Sequence, residues 1–91
     1  MDIKEAVKLA ATHIGQLFES DGITNVGLEE VEYDEFASEW IVTVGFSRPW
    51  DYPKVGVIGA SLNPGVPKRS YKVVRIKNTS GDIASVKNRD V

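Results

Sequence analysis

The residues of this 91-residue chain with the types for chemistry are few: one histidine, thirteen carboxylates, a glycine-punctuated stretch and no cysteine. His13 has the one side chain whose ordinary titration falls near neutral pH, and a carboxylate such as Glu32 would orient it as a general base. No nucleophile or second base stands at a spacing that fixes it nearby, so a helix-flank histidine is the simpler reading. The stretch Gly56-Val57-Ile58-Gly59-Ala60-Ser61 invites comparison with a phosphate loop. It lacks the Walker spacing and the lysine after the second glycine, and no helix pattern follows to supply a dipole. The six carboxylates from Glu29 to Glu39 have neither the alternating ligand spacing nor the central glycine of a calcium loop. Without cysteine there is no thiolate site, and one histidine makes no zinc site alone. The sequence therefore predicts no catalytic residue, no metal and no cofactor.

Binding chemistry is better represented. Residues 49–69 hold all four prolines and form a connection longer than the usual limit of about 12 to 15 residues for structureless loops, which tend to be functional. Within or beside it stand Arg48, Trp50, Tyr52, Val57 and Ile58, an arginine and aromatic set of the kind that anchors protein interfaces. The competing reading is that Trp50 and the valines plug an open end of the core, since a domain this small needs the burial. A second group, Lys68, Arg69, Lys72, Arg75 and Lys77, forms a run of bases beside Tyr71. Nucleic-acid binding would require these bases to share one exposed face.

The charge distribution sharpens that choice. Net charge is −2, yet residues 1–47 carry ten acids against Lys4 and Lys8, while residues 48–91 carry nine bases against three acids. Such asymmetry marks either a polyanion surface or acidic and basic strands lying side by side in one sheet. The second reading is favoured because the chain as a whole is slightly acidic.

These residues must be positioned by one small domain, for the length leaves no room for a second core. Asp2 and Glu5 make an acidic capping box, and Ile3, Val7, Ala10, Ala11, Ile14, Leu17 and Phe18 recur at helical spacing, predicting a helix over about 2–20. Gly15 is expected to admit a strand closely, and Ser20-Asp21-Gly22 stops the helix. Two-residue alternation then predicts strands over about 26–33, 40–48, 70–77 and 83–89. In the first of these Val26 and Leu28 fall out of phase with Val31 and Tyr33, which calls for a bulge near Glu29 and Glu30. Gly81 suits the left-handed position of the last hairpin turn. Ile14, Leu17, Val42 and Val44 are expected to be deeply buried, with Phe18, Trp40 and Phe46 closing any cleft between helix and sheet.

The predicted fold class is α+β, an N-terminal helix packed on a four-stranded antiparallel sheet. This α-β-β-β-β order resembles the cystatin-like group of small folds. The segment Tyr71-Lys72-Val73-Val74-Arg75-Ile76 followed by Gly81-Asp82-Ile83 also resembles the final hairpin of PepSY-type domains. Pro49-Trp50 is similar to the proline-tryptophan loop with which cystatins block papain-like proteases. The accompanying glutamine-valine-glycine hairpin is missing, since Lys54-Val55-Gly56-Val57-Ile58-Gly59 lacks the glutamine, and the order of the two motifs is reversed. The resemblance implies the fold and not protease inhibition.

No apolar run approaches the roughly 20 residues that span a bilayer, and the charged amphipathic start differs from a signal peptide, so the expected compartment is the cytoplasm and no membrane is involved. Three readings are open at this point. The leading one is a non-enzymatic binding or accessory domain that contacts a protein partner or a second copy of itself through the open sheet face and the loop from Arg48 to Arg69. The others are a small-molecule binder or enzyme using a cleft between helix and sheet, and a nucleic-acid binder using the basic C-terminal half.

Overall fold

Asp2 begins the helix by accepting the Glu5 backbone N–H at 2.8 Å, and α1 runs from Ile3 to Leu17. That bond satisfies one of the donors a helix start leaves open. The computed structural model describes residues 1–51 and 68–89. At the far end the Phe18 N–H returns to the Ile14 carbonyl, a 3-10 turn covers Glu19–Asp21, and Gly22 takes the left-handed conformation at φ 65°. The helix is thus shorter than the expected 2–20, with Glu19 and Ser20 folded into the exit turn.

Four antiparallel strands follow in spatial order β1-β2-β3-β4: β1 Thr24–Asp34, β2 Glu39–Ser47, β3 Ser70–Lys77 and β4 Ile83–Asn88. Each pairs with its neighbour in sequence, so β1 and β4 are the two edges. The helix lies across one face of this open sheet. The predicted fold class is the observed one, and strand limits differ from the expected ones by a residue or two. The bulge in β1 is present, with the register stepping between Leu28 and Glu30 opposite Val44 and Thr43, and Gly81 has φ 75° in the β3–β4 turn.

The core is the zone where Ala6, Ala10 and Ile14 of α1 meet Val42, Val44 and Phe46 of β2 and Val74 and Ile76 of β3. Burying such side chains contributes roughly 1.5 to 3 kcal/mol each for the larger ones. The short alanine side chains at four-residue spacing bring the helix axis down onto β2. Phe18 completes the row, its ring 5.2 Å from that of Phe46. Leu17 was expected among these residues and is instead 52% exposed, because the turn that ends α1 gives the last core place to Phe18. Gly15 likewise has open space where a side chain would begin, and no strand approaches it. At the opposite end of the sheet Trp40 packs on Tyr33 with ring centroids 4.9 Å apart and donates its indole N–H to Asn78 Oδ1 at 2.9 Å.

Candidate functional site

The helix lies over β1 and β2 of its sheet face and meets β3 less. Along β1, the edge strand, a groove of about 390 Å³ is lined by Ile3, Lys4, Val7 and Lys8 of α1 and by Leu28 and Val31 of β1. Its floor depends on the bulge. Leu28 and Val31 are three residues apart, a spacing that ordinary alternation sends to opposite faces, and the extra residue Glu29 returns both to the helix side. Ile3 and Leu28 are 48% and 49% exposed, so the apolar walls face solvent. A closed interface was expected from the aromatic fillers. Phe18, Trp40 and Phe46 do close the part over β2, while at β1 the helix contributes Ile3 and Val7, which line the groove without filling it.

Lys4 and Lys8 form the groove's charged rim and are exposed. They stand one turn apart in the N-terminal half of α1, where the helix dipole disfavours cations. Among the described residues neither has a salt-bridge partner.

The other face of the sheet is overlaid with charge. Arg69 reaches Glu29 at 3.2 Å, Arg75 reaches both Asp34 and Glu39 at 3.1 Å, and Arg89 approaches Glu30 at 3.9 Å. Gly45 makes room for the first pair, since a methyl group on it would lie 2.7 Å from both Arg69 Nη2 and Glu29 Oε1. The acidic and basic halves of the sequence therefore meet within the sheet. Thr43 and Ser47 on this face are buried.

Asp34 is the best-held of these acids. It accepts the Ala37 and Phe36 N–H groups at 3.2 and 3.0 Å as well as Arg75, and the Ala37 bond and the guanidinium together hold its carboxyl below the usual carboxylate range. The Arg75 guanidinium is correspondingly pushed up by Asp34 and Glu39. A carboxyl whose folded pKa is depressed contributes stability above its unfolded value, near 3.8, and that contribution is lost as pH falls through the lower folded value. Melting temperature should accordingly drop below about pH 4, and Asp34→Asn, which keeps the acceptor oxygen, should flatten that drop. Parallel acid profiles for the two proteins in thermal melts would remove Asp34 from the account.

Of the five interface residues expected from sequence, the structure describes Arg48 and Trp50 and brings them together. Arg48 is turned inward, its side chain 16% exposed. Its Nε donates to Asp21 at 3.2 Å and its Nη1 to Ser70 Oγ at 2.7 Å, and its guanidinium lies 5.6, 5.0 and 5.7 Å from the ring centres of Phe18, Phe46 and Trp50. Trp50 sits in a 3-10 turn, Pro49–Asp51, and is 67% exposed. Tyr52, Val57 and Ile58, with the glycine stretch from Gly56 to Gly59, lie outside the described residues.

The basic group is divided. Arg69 and Arg75 are engaged with acids on the open face, whereas Lys72 faces the helix side, opposite Val44, with its ammonium 5.3 Å from the Phe18 ring centre and bonded to Asn88. Lys68 lies two residues before β3 begins, and Lys77 is the last residue of that strand. His13 and Glu32 are separated by the sheet, since α1 lies on one face and Glu32, opposite Ile41, is on the other. Among the described residues no three His, Asp or Glu side chains group as metal ligands would, and no helix is long and apolar enough to cross a membrane. Comparison with models of known families, with curated proteins and with solved structures found no match to the chain. A cleft between helix and sheet entered the sequence reading only as the site of the small-molecule or enzyme alternative and was expected to be closed; the one signal for a groove at β1 was the mismatch between Leu28 and Val31.

Proposed function

We propose that the chain is a non-enzymatic protein-binding domain on a cystatin-like helix-and-sheet scaffold, and that its contact surface is the groove between α1 and β1. The observation that carries this reading is the apolar lining beside an edge strand, made of exposed Ile3 and Leu28 and half-buried Val7 and Val31. Apolar side chains gathered in a concave strip signal an interaction site where scattered ones do not. Two features support binding over catalysis. The groove's polar groups are two exposed lysines, and the single acid–base pair the sequence offered is split by the sheet. The open sheet face supports the reading less, because ion pairs already occupy it.

A photo-crosslinking side chain at Leu28 should give discrete protein adducts in extracts of the cells that make this chain. The same group at Thr79, in the β3–β4 turn, should give none, and exchanging Lys4 and Lys8 for glutamate should remove the Leu28 adducts. Identical adducts from both positions, or none from Leu28, would refute the groove as a contact surface.

A further inference from the structure

The groove lacks an apolar filler and an anion for its two lysines, and the same molecule carries both at the tip of its β1–β2 hairpin. Phe36 there is fully exposed, beyond every other large apolar side chain described. Glu35 beside it is exposed and without a salt-bridge partner among the described residues. The turn that presents them is built rather than loose. Asp34 accepts the Phe36 and Ala37 N–H groups, Arg75 holds Asp34 and Glu39 together, and the Ser38 carbonyl accepts the Asn78 N–H at 3.0 Å. A fixed turn loses little freedom on binding.

Resting on the protein-binding reading above, we propose that the groove's occupant is a second copy of this chain, whose Phe36 enters between Ile3, Val7, Leu28 and Val31 while its Glu35 faces Lys4 and Lys8. Charge and polarity match at each point of this contact. The geometry also permits closure. Val31 and Leu28 lie three and six residues before Asp34 on the same strand, so the groove is about 10 to 20 Å from the tip along β1, and two copies set antiparallel can exchange tips about a two-fold axis. Such an isologous contact stops at the dimer. Pairing of two β1 edges is the competing self-contact, and it is disfavoured by Glu29, Glu30 and Glu32, which would face like charges, and by the bulges that interrupt the edge.

Sedimentation velocity of the full chain from about 5 to about 500 µM should show the 10.0 kDa chain associating to twice that mass. Phe36→Asp should weaken association by a factor of about 30 or more, the effect of removing an aromatic anchor. Phe36 makes no demand on the fold, so the variant tests the contact alone. Leu28→Asp should weaken it similarly. Mixing the two variants should restore a heterodimer, because one intact tip then meets one intact groove. Lys8→Glu should weaken the dimer, and Glu35→Lys added to it should restore affinity. A monomer throughout the range, full association by Phe36→Asp, or no recovery on mixing each overturns the proposal. If the wild type stays monomeric while the Leu28 crosslinker captures a different protein, the second-copy proposal falls and the binding-domain reading stands. If Leu28 captures nothing, both fall.

Discussion

Val42→Asp is expected to abolish cooperative unfolding. Val42 has no exposed surface, lies in the cluster with Ala6, Ala10 and Ile14, and pairs with Val31 on one side and Val74 on the other. An aspartate there has no partner within the cluster, and burying such a charge costs several kcal/mol at least. A domain of this size has roughly 5 to 10 kcal/mol of stability in total. The variant should therefore lose its sigmoidal thermal transition and most of its amide protection. Leu17→Asp provides the contrast: Leu17 is half-exposed, so that variant should melt cooperatively. If Val42→Asp melts within a few degrees of the parent, α1 does not pack on β2 and the fold described here is wrong.

Arg48→Ala should be the most damaging substitution outside the apolar core. One side chain joins the turn after α1 through Asp21, the end of β2 through Phe46, and the start of β3 through Ser70. Its loss removes charge-assisted hydrogen bonds and stacking together, which should cost about 2 kcal/mol and lower the melting temperature by roughly 10 °C. Arg48→Lys should recover less than half of this, because an ammonium cannot form two directed bonds while lying flat against rings. Thermal melts of both variants decide the matter. A fall of only about 2 °C for Arg48→Ala, well inside the range expected of surface changes, would free Arg48 to act as the interface anchor its setting in sequence suggests.

The contrast between Arg48 and Val42 shows what the sequence made legible. Strand β2 was readable because Trp40, Val42, Val44 and Phe46 alternate without interruption, and the bulge in β1 was readable as a break in the same rule. Which helix residues touch the sheet was less so. Periodicity gives an angular sector, and within it Leu17 looks more buried than Ala6; the short side chain is the one in contact because the helix comes close enough to need it. Arg48 was read as a binding residue from the aromatic residues near it, Trp50 and Tyr52. Its actual partners, Asp21 and Ser70, are 27 and 22 residues away, and only the fold brings them to it. The groove was illegible for a related reason: it depends on the lateral seat of α1 across the sheet, which no local pattern encodes.

Glu29 also governs which length changes β1 can accept. As the bulged residue it is supernumerary to the ladder, so its deletion would leave Leu28 opposite Val44 and Glu30 opposite Thr43, with every other side chain on its present face. Deleting a residue from Val31 to Asp34 instead shifts the phase of the residues between it and Glu29, which turns Glu30 inward. Glu29 is thus a position where β1 can absorb or lose one residue, and it holds the Arg69 partner on one face while setting the groove floor on the other.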